Sequence, residues 1–437
     1  MSLKETQGQF ANSARKGKTV KLMIAGVLVA CALGAAVAHA DTVTDWNAIM
    51  QATVSAPPTN PFFQARWSAI VQLAVFEAVN AIEGDYEPYL GIIAAPPWAS
   101  PDAAAVAAAH RTLVMLRPGS AAALDAARDV SLAAIANGPE KDAGIAVGQA
   151  AADAMLLLRA GDGWDANPPY TPGTDPGDWR PTPPALAPAS LVQWRDVTPF
   201  GLRDGSQFRL PPPPGLNTGR YANDYNEVKL LGRFDSQVRP QDRTDVARFY
   251  GATTPVQVFN SAARQVSAAQ GDTLAQNART FARLAMAICD ASIAIFDTKY
   301  HYNFWRPVTA IRAGDTDGNQ QTDPDPTWLP LITTPAFPGY ASAHGSLSGA
   351  ARAVLEWTFG KDGLAITLTN PTLPGIVLNY TAWDQITDDI SDARVYGGIH
   401  FRFDQEAGAY QGKHVGFYIL RNYLRSLDDL DDSDDYE

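Results

Sequence analysis

The chain has 437 residues, 46% of them apolar, and a formal net charge of −12, enough length and apolar content for one large domain or two with a full core. So acidic a protein repels nucleic acid and anionic membrane surfaces, which argues against both as partners. An anion site in such a chain has to be built from cations gathered locally against the overall field.

The first forty residues differ from the rest. Arg15, Lys16, Lys18 and Lys21 precede an apolar run from Leu22 to Val37, and Ala38-His39-Ala40 supplies small residues before Asp41. That layout predicts a secretory signal over 1–40, cleaved after Ala40, and a secreted or periplasmic protein. The apolar run is short for a membrane span. LVAC at Leu28 to Cys31 weakly matches a lipoprotein acylation site, so lipidation at Cys31 is the one expected route to a stable membrane partner. Cleavage removes five basic and one acidic side chain and takes the net charge to −16. Cys289, the cysteine that remains, lies in an apolar helical run and is expected to be a buried small hydrophobe.

Residues 41–160 form an N-terminal helical half. The stretch from Pro61 to Glu83 repeats apolar residues at three and four, with Pro61 suited to a first turn. Ala-rich helices follow at Asp102 to Leu116, Ala121 to Ala136 and Glu140 to Arg159, separated by Pro-Gly, Asn-Gly or Gly breaks. His110 has no charged neighbour at helical spacing and is expected to be structural. Over 161–217 the texture changes to proline clusters interleaved with Trp164, Trp179 and Trp194, a lid, linker or wrap, and three tryptophans favour the wrap. Helical periodicity returns over 218–427, at Tyr221 to Leu231, Gln241 to Tyr250, Val256 to Gln270 and Thr273 to Phe304. No segment alternates polar and apolar for long, so the expected fold is mostly α, a helical bundle in two halves. The loop from Asp315 does not fit a calcium-binding pattern, and the acidic tail 428–437 is expected to be solvated and disordered.

Three separated segments carry chemistry. If helical, the seven-residue step from Lys299 to Arg306 leaves the two within about 20° on one face, where two cations are unfavourable unless an anion lies between them. Ser342-Ala343-His344 precedes a helix-forming stretch from Gly345 to Trp357, and a helix start offers free N–H groups to an anion. Arg394 is joined to His400 through Gly397-Gly398, and Asp404 follows His400 by one helical turn, close enough to fix which ring nitrogen is free. His301 and His414 have no such company and are expected to be structural or solvent-facing. No Cys/His cluster of the kind zinc requires is present.

Taken together, Lys-x6-Arg-Pro, then Ser-Ala-His, then Arg-x5-His-x3-Asp, this pattern resembles the vanadium-dependent haloperoxidases and the type 2 phosphatidic acid phosphatases that share their site. WRPTPPALAP from Trp179 and VTPF at Val197 look like the haloperoxidase branch. The resemblance implies a catalytic set of His344, His400 and Asp404, with His400 the axial ligand of vanadium. Lys299, Arg306, Ser342, Ala343 and Arg394 would bind the oxyanion. It implies vanadate as cofactor, with hydrogen peroxide and halide, or a small organic substrate, as partners. Halide would be oxidised through a His-bound peroxovanadate. The same shell also suits an acid phosphatase working through a phosphohistidine with phosphate in place of vanadate, or a non-catalytic oxyanion-binding protein. Phe337 occupies a position that the resemblance links to halide choice. Two departures stand out: Ala341 and Ala343 replace the family's usual Pro and Gly, and the methyl at 343 is harmless only where φ is negative.

Overall fold

Helix starts in this chain are marked by capping side chains and N-terminal prolines. In the computed structural model, which describes residues 41–428 other than residue 58, those marks set most of the architecture. The helices are, in chain order, α1 (Thr42–Ser55), α2 (Pro61–Glu83), α3 (Pro101–Leu116), α4 (Ala121–Ala133) and α5 (Pro139–Leu158), followed by the Pro-rich stretch. Then come α6 (Gly219–Leu231), α7 (Gln241–Ala252), α8 (Pro255–Gln270), α9 (Leu274–Tyr302), α10 (Pro307–Arg312), α11 (Ala343–Phe359), α12 (Trp383–Tyr396) and α13 (Arg402–Asn422). The expected signal segment 1–40 and the acidic tail beyond Asp428 lie outside the described residues. Among the described residues no helix is long and apolar enough to cross a membrane.

The mostly α expectation holds, and the periodic stretches fall within a few residues of α2 to α9. The short α10, α1, α12 and a β-hairpin were not anticipated. α1 is rich in β-branched residues and polar side chains, so its helical signal is weak; Asp41 caps it by accepting from Thr44 N at 2.8 Å, and Trp46, Met50 and Val54 are buried. α12 carries Trp383, Ile386, Ile390 and Ala393 on one buried stripe among four aspartates. Between α11 and α12, β1 (Asp362–Thr369) and β2 (Val377–Ala382) form an antiparallel hairpin, pairing Ile366 with Tyr380 and Leu368 with Leu378. Its alternation is confined to about three buried positions, too short to stand out in the sequence.

One core joins both helical halves. Phe62 of α2 meets Phe296 of α9 edge to face at 4.6 Å, and Cys289 of α9 is fully buried. Along the Pro-rich stretch, Trp179 and Trp194 are fully buried, and Trp194 Nε1 donates to Ser292 Oγ at 2.8 Å, so this wrap packs on α9. Buried Asp290 of α9 anchors the wrap by accepting from the N–H groups of Phe200, Gly201 and Leu202 at 2.7, 2.7 and 2.9 Å.

α11 and α13 approach so closely that glycine is obligatory along their seam. A Cβ on Gly412 would lie 1.8 Å from Ser346 O, one on Gly408 2.4 Å from Ser342 O, and one on Gly349 2.5 Å from Ala409 O. The contact fixes the starts of the two helices against each other, where Ser342 N donates to Asp404 O at 2.9 Å. Replacing Gly412 by Ala therefore forces the backbones apart, and we expect a loss of about 2–4 kcal/mol in urea unfolding, of the order of other core overpacking. A Gly412→Ala variant as stable as the parent contradicts this packing.

Candidate oxyanion site

Lys299 and Arg306 do not share a helix face. α9 ends at Tyr302 because Asn303 turns left-handed at φ 51°, donating its N–H to Lys299 O, and Pro307 keeps Arg306 extended at φ −91°, ψ 156°. The two cations meet instead across the 337–339 loop. Lys299 Nζ donates to Pro338 O and Gly339 O, both at 2.8 Å, and Arg306 Nε donates to Phe337 O at 2.8 Å. The Phe337 ring lies beneath both, 5.2 Å from Nζ and 5.0 Å from the guanidinium carbon.

The second segment starts α11. Ser342 is its cap, with Oγ accepting from Gly345 N at 3.2 Å, which leaves the hydroxyl proton free to donate. Ala343 is the first helical residue, so its N–H has no acceptor within the helix. Its φ is negative, and the methyl group carries no backbone strain there. The His344 ring faces the backbone of Thr253, while Nε2 is buried without a protein partner. Burial, then the charge of Arg394, holds this imidazole well below its usual pKa, so it is neutral.

Arg394 lies in the last turn of α12 and donates from Nη1 to Tyr250 O at 2.9 Å; its Nε has no partner. Gly398, at φ 81° and hard against Gly232 O and Pro330, turns the chain so that His400 faces back toward Arg394's cavity. His400 Nδ1 and Asp404 Oδ2 are 2.8 Å apart, and the same carboxylate oxygen accepts from Phe401 N at 3.2 Å. Burial raises the Asp404 carboxyl to about 7 against the pull of Lys299 and Arg306. Burial, then Arg306, Lys299 and Arg394, drives the His400 pKa down. The neutral ring thus donates a hydrogen bond from Nδ1–H to Asp404, and its Nε2 lone pair accepts from Arg306 Nη1 at 3.0 Å.

These segments close one side of a cavity of about 640 Å³ lined by Phe337, Ala343, His344, Arg394 and His400, together with Phe62 and Thr253. Lys299, Arg306, Ser342 and Asp404 are fully buried around it. Every residue singled out in the three segments is therefore brought together. His110 is not among them: it bonds Asp125 at 2.8 Å, and His301 and His414 are exposed beside aromatic rings. Thr253 and Tyr250 were missed, because they contribute main-chain carbonyls, which no residue type announces.

The charge balance is unequal. Three buried basic side chains face one carboxyl group, and burial lowers all three: Arg306 to about 10, Arg394 to about 9, and Lys299, beside Arg306, well below the usual lysine value. Arg306 Nη2, Arg394 Nε and His344 Nε2 are all buried with no hydrogen-bond partner. Unsatisfied donors and uncompensated positive charge at one cavity are costly, and an oxyanion with several acceptor oxygens removes both costs. The donor set fits vanadate or phosphate, and among the described residues no cluster of three or more His, Cys, Asp or Glu offers a conventional metal site.

Comparison with known proteins gives a consistent picture. Residues 279–429 match the model of the VCPO second helical-bundle domain. A vanadium chloroperoxidase from Curvularia inaequalis is 26% identical over an alignment that covers 35% of this chain and 34% of that protein, so the match spans about a third of the curated relative's length. Among solved structures, the first bacterial vanadium-dependent iodoperoxidase superposes with a TM-score of 0.77 at 24% identity, over 88% of this chain and 97% of that one. A bacterial vanadium-dependent chloroperoxidase in its holo form gives 0.67 at 18% identity, over 88% and 98%. At these identities the superpositions establish a shared fold.

An anion in the cavity stabilises an imidazolium, so orthovanadate or phosphate should raise the His344 pKa from its depressed value and draw a proton onto Nε2. Histidine-labelled NMR titration checks this; a His344 resonance whose midpoint is unmoved or lowered by the anion removes it from the site.

Proposed function

We propose that this chain, whose residues 279–429 match the model of the VCPO second helical-bundle domain, is a vanadate-dependent haloperoxidase that oxidises halide with hydrogen peroxide. The observation that carries the reading is the pair of unpartnered buried guanidinium donors, Arg306 Nη2 and Arg394 Nε, among three buried basic side chains around His400. Vanadate, when bound, supplies a Lewis-acid centre at which peroxide is activated toward halide.

The residues' own work follows from their partners. Lys299, Arg306 and Arg394 bind anionic oxygens and draw electron density from them, with the Ser342 hydroxyl and the Ala343 N–H completing the shell. His400 would hold the group through Nε2, in exchange for the hydrogen bond from Arg306, and Asp404 positions the ring by accepting from Nδ1–H. His344, neutral and facing the cavity through Nε2, accepts a proton from peroxide and returns it to the departing oxygen. Phe337 forms the apolar wall beneath two cations, where a weakly hydrated halide can be partly desolvated.

Metal-free protein given orthovanadate, peroxide and iodide, bromide or chloride should oxidise at least one halide in a vanadate-dependent manner. The same preparation should leave p-nitrophenyl phosphate intact. Vanadate-inhibited ester cleavage with no halide oxidation replaces this reading with a phosphatase in which His400 is the nucleophile. Arg394→Ala should weaken vanadate binding by about 10- to 100-fold, the loss of one charge-assisted contact. His344→Ala should keep vanadate uptake and lose about 10²- to 10⁴-fold in kcat, the range of one general acid/base. Loss of uptake in His344→Ala, or unchanged turnover, contradicts the assigned role.

A further inference from the structure

A second groove, of about 540 Å³, lies on the other side of the α7–α8 junction from the oxyanion cavity, and the two share Ala252 and Thr253 as a common wall. Its floor is apolar, with Phe249, Val258 and Leu368, and its rim comes from α1 and from the turn of the β1–β2 hairpin. Among the described residues no acidic side chain lines it, although the chain is strongly acidic overall. One cation does. Arg264 of α8 has no carboxylate partner, and its one hydrogen bond runs from Nη1 to the neutral Asn47 Oδ1. Burial lowers its pKa to about 10. Ser55 Oγ, also lining the groove, is buried with no partner.

We propose that this groove binds a small organic carboxylate with a flat apolar body, its carboxylate on Arg264 and its body over Phe249 and Leu368. Arg264 is otherwise a half-buried charge without a counter-ion, which is costly to keep. A guanidinium pairs a carboxylate in two-pronged fashion, and Ser55 can add a donor. The body of such a ligand lies against Thr253, whose backbone faces the His344 ring. On the haloperoxidase reading, on which this step rests, the ligand is then the organic acceptor of the oxidised halogen, held one residue away from where that halogen is made.

Calorimetry with 4-hydroxybenzoate and its neutral counterpart 4-hydroxybenzamide tests the site, with orthovanadate present to occupy the neighbouring cavity. The acid should bind at least tenfold more tightly than the amide, and Arg264→Gln should erase that difference while leaving vanadate uptake unchanged. Equal binding of acid and amide to the unmodified protein overturns the proposal without recourse to any variant, as does displacement of the acid by vanadate. Binding with the expected selectivity in a protein that oxidises no halide keeps the groove as a carboxylate site and overturns the haloperoxidase reading instead.

Discussion

The site depends on how its cations are held. Lys299 is fixed by the carbonyls of Pro338 and Gly339, Arg306 by those of Phe337 and Ile399, and Arg394 by that of Tyr250. A carbonyl dipole orients a cation without cancelling its charge. Elsewhere in the same molecule two buried arginines are treated differently: Arg66 and Arg159 both donate to Asp162, at 2.8 and 2.7 Å, so a carboxylate in direct contact cancels one of their two charges. The first arrangement leaves the larger field, together with guanidinium donors that have no partner, and a field is strong where groups are buried.

Such an arrangement is expensive in stability, so its supports have to be rigid. The 337–339 loop that carries three of the carbonyls is held from several directions. Gly339 N donates to Phe304 O at 2.7 Å, the Pro-rich wrap reaches Ala336 O through Ser190 N at 2.9 Å, and Tyr340 hydroxyl donates to Pro211 O at 2.9 Å. The wrap therefore acts as the outer wall of the site, and Asp290, which gathers three of its N–H groups, ties that wall to α9. The glycine seam of α11 and α13 does the corresponding work for Ser342 and Asp404.

Much of this was legible in the sequence, for identifiable reasons. Long periodic helices such as α2 and α9 announce themselves, and the residues with charge or imidazole can be counted in three short segments. What was hidden has a physical pattern too. Lys299 and Arg306 converge as expected, but across a loop instead of along a helix, because a left-handed Asn303 leaves little trace in a sequence window. Acceptors such as Tyr250 O and Thr253 O belong to the main chain and are independent of residue type. The conformation at Ala343 decides whether its methyl group is tolerated, and composition does not reveal conformation.

The two histidines at the cavity show how one residue type is given two tasks. Both rings are neutral, and both are pushed down by burial among cations. They differ in what holds the far nitrogen. His400 gives Nδ1–H to a carboxylate, which makes Nε2 a better electron-pair donor and compensates any positive charge that the ring acquires on bonding an electrophile. His344 faces a peptide backbone, which fixes the ring's direction while lending it little charge. Its proton affinity is then set by what occupies the cavity: low while only cations face it, higher once an anion arrives. A ligand suits the first environment and a proton carrier the second, so the assignment of roles follows from the partners of Nδ1 and not from the order of the histidines in the chain.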